Sequence, residues 1–162
     1  MSAAGLRLQR DLEALDIPSM AQIEVVAAPL PLAKDLPLLR LTIAPDEGYY
    51  SGGKFNFDIA FSAGYPIEPP RVRCLNRIFH PNIDYQGKIC LNILREDWSP
   101  ALELQSVVIG IIFLFLEVSE KDPLNKDAAA MLSRDRVEFA HAVRRSMAGD
   151  TVHGQRYDNV LR

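Results

Sequence analysis

The run His80-Pro81-Asn82-Ile83-Asp84-Tyr85-Gln86-Gly87-Lys88-Ile89-Cys90-Leu91-Asn92-Ile93-Leu94 places a thiol eight residues after a side-chain amide, with a turn-forming glycine between them. A thiol is a nucleophile that forms thioesters, and an amide N–H is a donor suited to an oxyanion. Hydrolysis by such a thiol calls for a histidine base and often a third residue that orients it. The three histidines, His80, His141 and His153, stand in no cysteine-protease pattern, and no oxyanion-hole glycine pattern flanks Cys90. A thiol without a base is better suited to holding an acyl group than to hydrolysing it. It can accept that group from another thioester in a nearly thermoneutral exchange and release it to an amine. The competing readings are a thiol hydrolase and an inert core cysteine.

The only other cysteine is Cys74. In a 162-residue chain whose first residues lack a secretion pattern, two reduced thiols in the cytoplasm or nucleus are expected rather than a disulfide. Cys74, His80 and Cys90 follow no common zinc spacing, and a fourth ligand is not evident, so no metal is expected. Lysine and arginine number 18 against 21 acidic residues, a net charge of −3, which gives no reason to expect nucleic acid or an anionic membrane as the main partner. The longest apolar run, Val107 to Leu116, is too short to span a bilayer. The length fits one domain, residues 1–162, able to bury a stable core.

These residues must be positioned by the flanking elements. Leu8, Leu12 and Leu15 form one apolar stripe of a helix, with Arg7, Arg10, Asp11 and Glu13 off it, and Pro18 is expected to end it. Strands are expected over Gln22 to Ala27, Leu38 to Ile43, Lys54 to Phe61 and Arg71 to Leu75, several with clear alternation. Turn-rich stretches separate them, at Pro29-Leu30-Pro31, Pro45 to Gly48, Ser51 to Gly53 and Tyr65 to Pro70. Short connections favour an antiparallel meander. In β-strand alternation with Arg71 and Arg73, Cys74 should point into the core. Around Cys90 the pattern is neither strand nor helix. Leu104 to Leu116 is apolar nearly all round, as in a central buried helix, and helices follow over Leu124 to Leu132 and Arg134 to Met147, the last stopped by Gly149. The order is that of an α+β domain.

His80-Pro81-Asn82, the step to Cys90, Trp98, Ser99-Pro100-Ala101 and Asp122-Pro123-Leu124, preceded by Tyr65-Pro66-x-x-Pro69-Pro70, resemble a ubiquitin-conjugating enzyme over essentially the whole chain. Within that family the chain is most similar to the enzymes of neddylation, which carry the Nedd/Rub modifier to cullins. The matching pieces are Pro45 to Tyr50, Cys90 to Trp98, Asp122 to Lys126 and Ser146-Met147-x-Gly149. The alternatives are a conjugating enzyme for ubiquitin itself and a non-catalytic scaffold of the same fold.

The resemblance implies the ubiquitin-conjugating fold: an N-terminal helix, a four-stranded antiparallel meander, then helices. It implies a modifier thioester on Cys90. Asn82 would donate to the oxyanion, or would brace its own loop; the two roles are compatible. Asp122 would orient the acceptor lysine and take its proton late, or would simply begin an Asp-Pro turn; Asp84 is a weaker candidate. Neutralising a free lysine of pKa about 10.4 near pH 7 costs about 4 kcal/mol, so such help matters. His80 and Trp98 resemble structural residues beside the site. Arg7 and Arg10 resemble the face that meets the activating enzyme and ligases, and Ile67, Pro69, Ser99, Pro100 and Ala101 resemble the ligase-docking loops. Implied partners are the modifier, a heterodimeric activating enzyme, a RING-type ligase and a cullin. No cofactor is implied, because ATP is used by the activating enzyme. Tyr65–Pro66 is a candidate cis bond.

Two features depart from the family pattern. Glu117-Val118-Ser119-Glu120-Lys121 replaces a proline-containing loop ahead of Asp122, which leaves that loop's rigidity open. Neddylation enzymes also carry an N-terminal arm, whereas residue 1 here stands almost at the first helix. Either the arm is absent or the natural chain is longer, so selectivity that depends on the arm is not assumed.

Overall fold

The computed structural model describes residues 2–27 and 36–162, which leaves the expected turn at Pro29-Leu30-Pro31 outside the described residues. Helix α1 spans Ala3–Glu13, capped by Ser2, whose hydroxyl accepts from the Gly5 N–H at 3.0 Å. It ends five residues before Pro18. The chain leaves through a tighter turn, Leu15 N–H to Leu12 O, and the Gln105 side chain takes the next free amide, at Asp16.

Strands β1 (Ala21–Ala27), β2 (Leu38–Ile43), β3 (Phe55–Ala60) and β4 (Arg71–Cys74) form an antiparallel meander in sequence order, as the alternation implied. Leu39, Leu41 and Ile43 of β2 and Phe55, Phe57 and Ile59 of β3 are all buried. Register puts Leu41 opposite Phe57, and Phe57 opposite Cys74, so one face of the sheet is a continuous apolar surface. Helix α2 (Leu104–Leu116) lies in the core with Val107, Val108, Ile111 and Phe115 buried, and the Phe115 ring stacks on Phe55 at 4.7 Å. Burial is one-sided, however. Phe113 is 49% exposed.

The sequence boundaries of the last helices shift by two residues at their starts. Asn125 caps α3 (Lys126–Arg134) and Asp135 caps α4 (Arg136–Met147), each side chain accepting from backbone amides one turn inside. At the end of α4, Gly149 N–H bonds Ser146 O and Asp150 N–H bonds Arg145 O, with Gly149 at φ 88°. This is the paired closure that a glycine permits. A hairpin of β5 (Thr151–Val152) and β6 (Gln155–Arg156), which no sequence pattern signals, follows through His153 and Gly154, both at positive φ.

One assignment is overturned. Asp11 is buried, not on the exposed side of α1. Its carboxylate takes Arg7 Nε at 3.0 Å on one oxygen, and the Tyr65 hydroxyl and the Leu104 N–H on the other. It thereby joins α1, the loop after β3 and the start of α2. Burial first, and then the bond to Asp11, push the Tyr65 phenol well above its usual range.

Candidate active site

Cys90 lies in an irregular stretch that is nonetheless densely bonded. Gly87 fixes its approach: with φ at 92°, a Cβ there would stand 2.1 Å from the Cys74 carbonyl oxygen. That close approach lets Cys74 N–H bond Gly87 O at 2.9 Å, tying the loop to the edge of β4. Asp84 closes the same turn by accepting from Gln86 N–H and Lys88 N–H, both at 2.9 Å. One oxygen of its carboxylate, Oδ1, is thereby committed to the turn.

Asn82 and Cys90 are brought side by side. Cys90 N–H donates to Asn82 O at 2.9 Å, and Ile83 bridges Ile89. The Asn82 side chain, nearly buried, donates through Nδ2 to Lys121 O at 3.3 Å. Pro81 O accepts from both Leu124 N–H and Asn125 N–H, at 2.8 and 3.0 Å. The segment through Asp122 is thus stitched to the Pro81-Asn82 segment at both ends of the Asp-Pro step. Within it, Ser119 Oγ accepts from Lys121 N–H at 3.1 Å, which supplies a local turn where prolines are lacking. Asp122 is exposed and has φ 46°, a left-handed conformation costly for a residue ahead of proline. Strain of this kind persists only where the surroundings enforce it.

His80 has no nitrogen to spare. Nδ1 accepts from Asn82 N–H at 2.9 Å, and Nε2 faces Leu114 O at 2.6 Å, which requires its proton on Nε2. The ring is fully buried and stacked on Tyr50. Burial lowers its pKa from 6.5 to about 4, against the opposing pull of Leu114 O, so it is a neutral brace for Asn82. His141 and His153 line a hollow with Met131 and Arg145 at α4 and the terminal hairpin.

Downstream of Cys90, Asn92–Leu94 form a single 3-10 turn. It packs closely on α2, where a Cβ on Gly110 would stand 3.0 Å from Ile93 Cδ1 and 3.2 Å from Leu91 Cδ2. Arg95, to which the sequence alone assigns no role, turns back and donates Nη2–H to Cys90 Sγ at 2.9 Å. A separation of five residues in an irregular segment carries no periodic signal that could have exposed this contact.

A second cluster contains the residues expected to meet partners. Arg7 donates to Pro100 O at 2.7 Å and Leu102 O at 2.8 Å while its Nε faces Asp11. Its fork is spent inside the molecule, clamping the Ser99-Pro100-Ala101 loop to α1. Ser99 Oγ accepts from Ala101 N–H. Trp98 Nε1–H donates to Pro66 O at 2.9 Å and so holds the other loop, whose Tyr65–Pro66 bond is cis. On that loop Ile67 is 74% exposed, the most exposed of the large apolar side chains described. Pro100 and Ala101 are also exposed, and Pro69 is half-buried. Arg10 lies on the exposed side of α1.

Comparison with known proteins gives a consistent result. The family profile described as "Ubiquitin-conjugating enzyme" matches residues 7–147. The NEDD8-conjugating enzyme UBC12 of Saccharomyces cerevisiae is 52% identical over 162 residues, which cover 99% of this chain and 86% of that protein. The Nedd8-conjugating enzyme UbcE2M of Drosophila melanogaster is 46% identical over 156 residues, covering 96% and 83%. The solved structure of S. cerevisiae Ubc12 superposes with a TM-score of 0.93 over 99% of this chain and 88% of that one.

Proposed function

Since the chain belongs to the ubiquitin-conjugating enzyme family, we propose that it accepts NEDD8 from an activating enzyme as a thioester on Cys90 and passes it to a substrate lysine. The observation that carries this reading is a partly exposed Cys90, fixed against Asn82, with both ring nitrogens of His80 already engaged in other bonds. Such a sulfur can exchange acyl groups between thiols, yet His80 is not free to activate water against it.

Asn82 serves both of its readings. An amide NH2 has two protons, so one can hold Lys121 O while the other meets the oxyanion that forms when lysine attacks. Asp122 is the carboxylate that orients the incoming amine and accepts its proton. Its strained backbone and the bonds on both sides of it support that role. The loops bearing Ile67, Pro69, Ser99, Pro100 and Ala101, with Arg10 on α1, form the surface for the heterodimeric activating enzyme and a RING-type ligase. Arg7 shapes that surface by clamping the second loop. The acceptor is a lysine on a cullin, and the reaction takes place in the cytoplasm and nucleus. The chain itself needs no cofactor, as ATP is consumed upstream by the activating enzyme.

The test is charging with NEDD8 or ubiquitin, each with its own activating enzyme and ATP, followed on a non-reducing gel. A band with NEDD8 that disappears on thiol treatment is expected. Charging with ubiquitin alone would reassign the enzyme to ubiquitin, and no band with either modifier would sink the carrier reading.

A further inference from the structure

The contact between Arg95 and the reacting sulfur has no part in the roles above. It is a built contact. Asn92 O accepts from both Arg95 N–H and Asp97 N–H, at 3.0 and 3.1 Å, and the turn they close is seated over Gly110. The backbone at position 95 is thereby aimed back at position 90. The guanidinium spans two groups: Nη2 meets Cys90 Sγ at 2.9 Å, and Nε faces Glu96 Oε2 at 3.9 Å. Among the described residues no other cation bonds this sulfur.

We propose that Arg95 is a catalytic residue that stabilises the negative charge developing on Cys90 Sγ as the acyl group leaves. The inference rests on the carrier reading. In transfer, the neutral lysine nitrogen adds its lone pair to the thioester carbonyl carbon, and the carbonyl π pair moves onto oxygen, beside Asn82. The C=O bond then re-forms and the C–S bond breaks, with both electrons of that bond passing to Sγ. The surplus proton on nitrogen goes to the Asp122 carboxylate and on to water, and the sulfur takes a proton from water. One thioester and one amine become one amide and one thiol, with no change of oxidation state. Asn82 and Arg95 thus act at two different atoms, oxygen and sulfur.

Arginine suits this position because it stays protonated at any working pH. It can stabilise a thiolate leaving group without ever serving as the base that a water molecule needs. A histidine there could do both, and the carrier would leak. The contact is made to the sulfur itself, the atom that persists through charging and discharge.

The experiment uses protein first charged with NEDD8, with ATP then removed and free lysine added across a range of concentrations. Arg95→Gln should discharge about tenfold more slowly at saturating lysine, with the half-saturating concentration unchanged. That is less than the loss for a fully buried oxyanion donor, because the Arg95 side chain is 51% exposed. Arg95→Lys should recover most of the rate, Glu96→Gln should stay within about twofold of wild type, and all three should melt with the wild-type protein. Charged Arg95→Gln that discharges at the wild-type rate overturns the inference alone. So does a change confined to the half-saturating lysine concentration, or an Arg95→Lys protein as slow as Arg95→Gln. Wild-type protein that takes no modifier overturns the carrier reading, and this inference with it.

Discussion

Cys74 and Cys90 are held by the same glycine turn and have opposite surroundings. Cys74 ends β4 in strand register with Phe57, is buried, and donates its S–H to Asn76 O. Burial pushes its thiol up to about 12, so it stays protonated and inert. Cys90 follows in a stretch without regular structure, is partly exposed, and has an arginine on its sulfur and an asparagine beside its backbone. The difference teaches that regular pairing makes a cysteine part of the core, whereas a loop braced by several local hydrogen bonds can present one for chemistry. Around Cys90 the bracing comes from Gly87, Asp84, His80 and the Pro81 carbonyl. None of these has to touch substrate to matter.

The comparison can be broken at several points. The largest effect on activity is expected at Asn82. Asn82→Ala should lower the rate of lysine transfer by about a hundredfold while leaving thioester formation within a few-fold, since the oxyanion donor is lost and the sulfur is not. Equal losses in both steps, measured by single-turnover charging and discharge, would show that Asn82 only braces the loop.

Asp11→Ala tests the second cluster. It leaves the Tyr65 hydroxyl and the Leu104 N–H without their acceptor and removes the ion pair to Arg7, so urea denaturation should show a loss of about 3 kcal/mol. A loss below about 1 kcal/mol would mean that the junction of α1, the Tyr65 loop and α2 is held by apolar packing alone.

His80 ties stability to pH. Its folded pKa, about 4, lies below that of the unfolded chain, about 6.5. Between those values the unfolded chain binds a proton that the folded one refuses, so stability falls as pH falls. The expected loss from His80 is about 2 kcal/mol between pH 7.5 and pH 5.0, levelling off below pH 4 once the folded ring also charges. Urea melts across that range in wild-type and His80→Gln proteins check it: the variant should lack this part of the slope. A wild-type curve that is flat over the same range contradicts a neutral, buried His80.

The smallest effect belongs to Cys74. Cys74→Ala should cost about 1 kcal/mol of stability through lost packing and should charge at the wild-type rate. A charging defect there would erase the distinction between the two thiols.

The fold was readable wherever burial and period coincide. Alternation in β2 and β3 and the apolar run of α2 place the meander and the central helix to within a residue or two. Asp11 was misjudged because its residue type hid its position. Ala4, Leu8 and Asp11 recur at i, i+4 and i+7, on one helical face, and only Arg7 one turn away, together with Tyr65 and Leu104 from distant segments, makes a carboxylate tolerable there. The terminal hairpin has two-residue strands, too short for alternation to register. In the site, the order of Asn82, Cys90 and Asp122 was legible. The bond from Asn82 to Lys121, across 39 positions, and the return of Arg95 onto Cys90 were not, since both depend on how irregular segments close.

The most direct measurement of the central claim is charging of wild-type, Cys74→Ser and Cys90→Ser proteins with NEDD8, its activating enzyme and ATP, run with and without thiol. A thiol-sensitive adduct is expected on wild-type and Cys74→Ser, and on Cys90→Ser only a slowly formed oxyester that survives thiol. A thiol-sensitive adduct that persists in Cys90→Ser and vanishes in Cys74→Ser would contradict the assignment of Cys90 as the carrier.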